Sequence, residues 1–154
     1  MTINLKQSIT ADMKNAMRAK EAARLSAVRL LLSAIKQREV DERIELTDTD
    51  VVSIIDKMIK QRNDSISQFE AAARQDLVDV EKFEISVLQA YMPPAMSDSE
   101  INAAVNVAIA NSDAKSPQEM GKVIALLKPV LVGRADMGKV SALVKARLTA
   151  LITG

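Results

Sequence analysis

Residues 92–100 read Met92-Pro93-Pro94-Ala95-Met96-Ser97-Asp98-Ser99-Glu100, and this stretch decides how the chain is divided. Proline has no backbone N–H and disfavours helical geometry in the residue before it, so two consecutive prolines end any helix that reaches them. Ser97 and Glu100 have the spacing of a capping box, which starts a new helix just beyond the prolines. The sequence therefore predicts one helical domain over residues 1–92 and another over residues 97–154.

Helices are expected on both sides of this break. Three aromatic residues, four glycines and four prolines are a poor supply for strands and turns. Apolar periodicity predicts helices over about residues 3–20, 21–43, 47–74 and 76–92, the third with Thr47 as N-cap. The predicted core residues on the first, second and fourth helices are Leu5, Ile9, Met13, Met17, Leu25, Val28, Leu32, Ile35, Leu77, Val80, Phe83, Val87, Leu88 and Tyr91. The middle of the chain is interpreted as a long linking rod that ends at the prolines.

The part after the break is expected to hold three helices. The first runs from Ser97 to about residue 110. Ser116-Pro117-Gln118-Glu119 spells a second capping box, and Pro129 predicts a kink or an early stop in the helix that follows. Asp136 is expected to cap a last helix that reaches about residue 152. The expected fold is all-α, a bundle of about four helices joined by a Pro-Pro linker to a three-helix module.

Composition excludes several kinds of chemistry. The chain has no cysteine and no histidine, so disulfides, thiolate nucleophiles, imidazole bases and the usual zinc or haem ligands are excluded. We expect no catalytic residue, no metal and no cofactor, and hence no catalysis by the chain alone. No stretch has the features of a signal peptide or a membrane span, so we expect a cytoplasmic or organelle-matrix protein without a membrane partner.

Charge is segregated along the chain. Residues 1–38 carry a net charge of +6, residues 39–119 carry −10, and residues 120–154 carry +5. On the first two helices, basic residues recur at spacings that keep them on one face, and we predict that Lys14, Arg18, Arg29 and Lys36 form a surface for nucleic acid. The alternative is that the acidic middle folds against the basic ends and neutralises them.

The last third contains a repeat. Residues 120–131 (MGKVIALLKPVL) and 137–148 (MGKVSALVKARL) agree at eight of twelve positions. Each copy begins with Met-Gly-Lys near a helix N-terminus, where backbone N–H groups and lysine suit a phosphate. For Gly121 and Gly138 the favoured interpretation is close approach of two helices. The basic candidates in this part are Lys122, Lys128, Arg134, Lys139 and Lys145.

Three stretches carry a resemblance to a known family: DMKNAMRAKEAARLSAVRLLLSAIK, KQRNDSISQFEAAARQDLVDVEKFEISVLQAYMP and MGKVIALLKPVLVGRADMGKVSALVKARL. They resemble the GatB/YqeY family over nearly the whole chain. In the last stretch the match is best at Met120-Gly121-Lys122-Val123 and at Gly133-Arg134-Ala135-Asp136. The C-terminal module is similar to the tail of the GatB component of the aminoacyl-tRNA amidotransferase, a glutamine-dependent carbon–nitrogen ligase.

The resemblance implies an accessory role in handling tRNA, because that tail grips the tRNA body. It also implies, as partners, an amidotransferase or an aminoacyl-tRNA synthetase complex. The ATP-using domain of the GatB component has no counterpart, so the chain would be at most a part of such a ligase. Two hypotheses stay open: binding of folded RNA through basic helix faces, and a non-catalytic protein–protein adaptor.

Overall fold

The computed structural model describes residues 4–153, and every regular element in that range is helical. The helices are α1 Leu5–Arg18, α2 Ala22–Glu42, α3 Asp48–Ala71, α4 Gln75–Gln89, α5 Asp98–Ser112, α6 Met120–Leu131 and α7 Met137–Thr153, with a 3₁₀ turn at Pro117–Glu119. The chain divides into two compact units, residues 1–92 and 93–154. The predicted all-α fold, with four helices before the prolines and three after them, is confirmed.

Three of the predicted helix starts are built by local hydrogen bonds. The Thr47 and Ser97 hydroxyls accept from the backbone N–H groups of Asp50 and Glu100, as a capping box requires. The Asp136 carboxylate accepts from two N–H groups at the start of α7. The capping box predicted at Ser116 is wrong. Its side chain makes no capping hydrogen bond, and the chain enters α6 through the 3₁₀ turn instead.

The N-terminal unit is built from two helical hairpins. α1 packs on α2, α3 packs along α4, and α2 also contacts α4. The shared core is aliphatic and draws on all four helices, with the most deeply buried side chains being Ile9, Val28, Leu31, Ile35, Val51, Ile55 and Leu88. The interpretation of the middle as a linking rod is therefore wrong, because α3 lies inside this bundle and buries Val51 and Ile55.

Three residues predicted for this core are exposed instead. Met17 on α1 is 46% exposed, and on α4 Val80 and Phe83 are 53% and 42% exposed. The fully buried residue on α4 near them is Val78, which the sequence analysis did not select. Helical periodicity groups residues into faces, but the packing of a neighbouring helix decides which face is covered.

The C-terminal unit has its own aliphatic core. α6 packs between α5 and α7, and the 3₁₀ turn contacts both α6 and α7. Its most deeply buried side chains are Val105, Val123, Leu127, Leu131, Val140, Val144 and Leu148. Pro129 lies inside α6, which ends two residues later at Leu131, so the predicted early stop is confirmed.

We expect Leu127→Ala to destabilise the C-terminal unit by about 2–5 kcal/mol, because Leu127 is 1% exposed and its removal leaves a cavity. Leu126→Ala is the matched control, since Leu126 is 46% exposed and its truncation should cost less than about 1 kcal/mol. Urea unfolding followed by circular dichroism at 222 nm measures both changes. Equal losses would contradict the assignment of the core.

The start of α5 should make stability depend on pH. The backbone N–H and the hydroxyl of Ser97 hold the pKa of Glu100 below its ordinary value. A carboxylate with a lowered pKa stabilises the fold above the ordinary pKa, and this contribution is lost as pH falls through the folded-state value. Because glutamine keeps the capping geometry without titrating, Glu100→Gln should weaken the loss of stability between pH 7 and pH 3. An unchanged pH dependence in urea unfolding would contradict this.

Candidate nucleic-acid interface

The seam between α1 and α2 gathers the N-terminal basic candidates. Lys6 Nζ lies 2.7 Å from Glu39 Oε1, and an Arg29 guanidinium nitrogen lies 3.9 Å from Met17 Sδ. These two contacts show that the helices run antiparallel, with Arg29 directed to the α1 side of α2. With 3.6 residues per turn, Lys14 lies about 60° around α1 from Met17, toward the solvent.

The positions of Arg18 and Lys36 follow from the same helix geometry. Arg18 is about 40° around α1 from Lys14, and Lys36 is about 20° around α2 from Arg29. All four side chains are exposed. Ideal helix geometry and these two contacts indicate that Lys14, Arg18, Arg29 and Lys36 share one outer side of the α1–α2 hairpin, which we call the hairpin face.

Acidic residues do not neutralise the hairpin face. Each acidic side chain of α1, α2 and their connection contacts another residue. Three lie near a cation: Glu39 pairs with Lys6, Glu42 pairs with Arg38, and Glu21 lies 3.6 Å from Arg24. The other two accept hydrogen bonds from neutral donors, Asp12 from the Tyr91 hydroxyl and Asp41 from the Gln37 amide. Within residues 4–153, none of the four hairpin-face cations makes an ion pair.

The hydrogen bond between Tyr91 and Asp12 joins α1 to the residues that follow α4. The Tyr91 hydroxyl donates to an Asp12 carboxylate oxygen at 2.6 Å. Burial and the Asp12 carboxylate raise the pKa of Tyr91 well above its usual range. This hydrogen bond connects α1 to the chain just before the prolines.

Two C-terminal candidates are engaged within their own unit. Lys122 Nζ lies 3.3 Å from Glu119 Oε1. The Arg134 Nε donates to the backbone carbonyl of Pro94 at 3.0 Å, and the Arg134 carbonyl accepts from the Met96 N–H at 2.9 Å. Arg134 thus fixes the chain between the prolines and α5.

The remaining three C-terminal candidates, Lys128, Lys139 and Lys145, are exposed and make no ion pair with any described residue. Arg147, which the sequence analysis did not select, donates from α7 to the side chains of Asn102 and Asn106 on α5. This contact joins residues more than 40 positions apart, so no local sequence signal could have revealed it.

The two Met-Gly-Lys segments do not begin their helices in the same way. At α7, Asp136 Oδ1 accepts from the Gly138 N–H at 2.8 Å and from the Lys139 N–H at 3.3 Å, so a carboxylate already occupies the helix N-terminus. At α6, the preceding 3₁₀ turn leads directly into the helix, and Glu119 Oε2 accepts from the Lys115 N–H at 2.6 Å. The predicted phosphate site is therefore blocked at α7 and lies beside a carboxylate at α6.

The helical glycines of the repeat are not helix-packing residues, so that interpretation is wrong. A Cβ added at Gly121 meets no other atom within 4 Å, and one added at Gly138 meets Asp136 Oδ1 at 3.1 Å instead of a neighbouring helix. Gly133, in the turn before α7, has a φ of 72°, in the left-handed region that favours glycine. Its role is therefore conformational.

Alanine substitutions should distinguish Gly121, which lies within a helix, from Gly133, which lies in a turn. We expect Gly121→Ala to be neutral or to stabilise the C-terminal unit by up to about 1 kcal/mol, since alanine is the better helix former and space is open. Gly133→Ala should destabilise it by about 1 kcal/mol, because the left-handed backbone strains a residue with a Cβ. Chemical denaturation measures both, and a stabilising Gly133→Ala would refute the assigned role.

Two further features of the described residues concern metal ions and membranes. Residues 4–153 contain no cluster of three or more acidic side chains that could hold a metal ion. Of the carboxylates on α4, Glu84 pairs with Arg62 and Asp76 with Arg74. None of the helices in this range is both long and apolar enough to cross a membrane.

Comparison with known proteins shows which family this sequence matches. The family model described as "Yqey-like protein" matches residues 6–148. Among similar curated proteins is "Altered inheritance of mitochondria protein 41, mitochondrial" of Pyrenophora tritici-repentis, which is 33% identical over 129 residues, 82% of this chain and 71% of the relative. Proteins with the same name in Kluyveromyces lactis and Saccharomyces cerevisiae (strain YJM789) are 38% and 36% identical, each over 64% of this chain.

The match spans 55% and 54% of the lengths of these last two relatives, so the chain corresponds to just over half of each. The relatives are named as mitochondrial proteins, which agrees with the organelle-matrix part of the expectation and does not confirm the cytoplasmic part. Their names mention inheritance of mitochondria and no amidotransferase. The resemblance to GatB/YqeY is nevertheless confirmed by the family match, and the chain belongs to the YqeY-like protein family.

Proposed function

We propose that this protein is a non-catalytic accessory protein that binds folded RNA, with tRNA as its target, through basic helix faces. The observation that carries the proposal is the hairpin face, where four exposed cations lie together without an acidic partner among the described residues. Like charges held together repel one another and lower stability unless an anion neutralises them. The phosphates of a nucleic acid provide such an anion.

The distribution of aromatic residues favours folded RNA over single strands. Phe69 and Phe83 lie on α3 and α4, and Tyr91 follows α4 and is engaged with Asp12. The α1–α2 hairpin has no aromatic side chain on which an unstacked base could stack. Contacts from lysine and arginine to phosphates suit the shape of a folded RNA and carry little sequence information.

The family relationship supports tRNA as the RNA. The C-terminal module resembles the part of the amidotransferase that holds the tRNA body. In this proposal the chain positions tRNA for a partner, either an amidotransferase or an aminoacyl-tRNA synthetase complex, and the partner performs any carbon–nitrogen ligase chemistry. The absence of cysteine and histidine from the sequence is consistent with this division of work.

Binding to bulk tRNA over a series of salt concentrations tests the proposal. Each neutralised phosphate should contribute about 0.7 to 0.9 to the slope of log affinity against log salt, so we expect a slope of about −2 or steeper. Fluorescence anisotropy of labelled tRNA gives the affinities. Polyglutamate is the control anion, and it should displace tRNA poorly, because it lacks the fixed phosphate spacing of a folded RNA. No binding, or a slope near zero, would contradict the proposal.

A non-catalytic adaptor is the second candidate, and one groove favours it. Between α5 and α6 lies an open, apolar groove of about 360 Å³. Three of its side chains, Val107, Leu126 and Val130, are each at least 46% exposed. An amphipathic helix of a partner protein would fit such a groove. A salt-independent interaction that is lost in Val107→Glu would favour this candidate over RNA binding.

A further inference from the structure

The cations of the two units differ in how they are arranged. In the C-terminal unit, Lys139 and Lys145 are six residues apart on α7 and therefore lie about 120° apart around the helix. Lys122 and Lys128 have the same spacing on α6, and Lys122 is paired with Glu119. Arg134 is hydrogen-bonded to Pro94. Within each helix these lysines therefore point to different sides, and Lys122 and Arg134 are engaged by other residues.

The hairpin face has the opposite arrangement. Lys14 and Arg18 are one turn apart on α1, which is about 6 Å along the axis, and Arg29 and Lys36 are two turns apart on α2, which is about 10 Å. The Arg29–Met17 and Lys6–Glu39 contacts hold the two rows side by side. The four charges thus occupy a strip about 10 Å long whose geometry the hairpin fixes in advance.

The length of this strip suits the backbone of a double helix. Double-stranded DNA has about one phosphate charge for every 1.7 Å of its axis when both strands are counted, so about 10 Å of such a duplex carries about six phosphates. The cations would meet those phosphates that lie on the side of the duplex facing the hairpin. Two of the nearby carboxylates, Glu39 and Glu42, are paired with Lys6 and Arg38.

We infer that the principal RNA contact of this protein is the hairpin face of the N-terminal unit, and that the C-terminal repeat contributes little to RNA affinity. The inference rests on the proposed function and names the surface that performs it. The contact is with duplex backbone phosphates and is independent of base sequence. It differs from the expectation drawn from the resemblance, which places the tRNA contact in the C-terminal module.

Two double variants of the full chain test this inference. Lys14→Gln/Arg29→Gln removes two charges from the hairpin face, and Lys139→Gln/Lys145→Gln is the matched control, because it removes two exposed charges from α7. The hairpin variant should lower the magnitude of the salt slope for bulk tRNA by about 1.4 to 1.8, and the control by less than about 0.5. Circular dichroism and thermal unfolding verify that both variants fold.

A second measurement uses the unmodified protein. With saturating tRNA, Lys14 and Lys36 should react more slowly with an acetylating reagent than in the free protein, as measured by mass spectrometry. Lys139 and Lys145 should react at the same rate with and without tRNA. This result does not depend on the folding of any variant.

The outcomes separate the inference from the proposed function. If the unmodified protein binds no tRNA, or binds phosphatidylserine vesicles in preference to tRNA, the proposed function and the inference both fail. If it binds tRNA but the α7 variant loses as much of the salt slope as the hairpin variant, or if Lys139 and Lys145 are the protected lysines, the inference alone is overturned.

Discussion

The missing backbone donors of Pro93 and Pro94 constrain everything else in this structure. The helix before them ends there, and each side of the chain has an aliphatic core of its own. The 92 residues before the break do so with four helices, and the 62 from Pro93 onward with three. Neither core contains a fully buried aromatic side chain among the described residues, so both depend on close packing of valine, leucine and isoleucine.

Side chains fix the chain on both sides of this break. Before it, Tyr91 is hydrogen-bonded to Asp12 on α1. After it, Arg134 donates to the Pro94 carbonyl and accepts from the Met96 N–H. The residues just before the prolines are therefore bonded to the N-terminal unit, and those just after them to the C-terminal unit. Arg134 is needed for this local structure, which is a physical reason for its presence other than binding RNA.

Much of the fold could be predicted from the sequence because its signals are local. The helix starts at Thr47, Ser97 and Asp136 depend on atoms at most three residues away, and the structure confirms them. The exposed positions of Met17 and Phe83 could not be predicted, because they depend on which helices pack together. The same limit applies to the candidate site. Spacing alone grouped the cations on each helix, whereas the Arg134–Pro94 contact spans 40 residues.

The repeat in the C-terminal unit is explained by packing. With an offset of 17 residues, Val123, Leu127 and Leu131 of α6 correspond to Val140, Val144 and Leu148 of α7, and all six side chains are buried. Both copies thus carry the same stripe, with a buried residue at every fourth position, that one helix needs to pack against another. The lysines of the two copies have different surroundings, since Lys122 contacts Glu119 whereas Lys139 follows a helix start capped by Asp136.

The two copies therefore share the buried stripe that a core requires, and differ in their charged surroundings. The basic residues of the repeat are then solvated neighbours of that core. On the α1–α2 hairpin the exposed residues, and not the buried ones, are the ones that share a pattern. The buried positions of the two helices differ in spacing, yet their exposed lysines and arginines converge on one strip. The common feature of α1 and α2 is therefore the spacing of their exposed cations, although the repeat makes the C-terminal unit the more conspicuous in sequence.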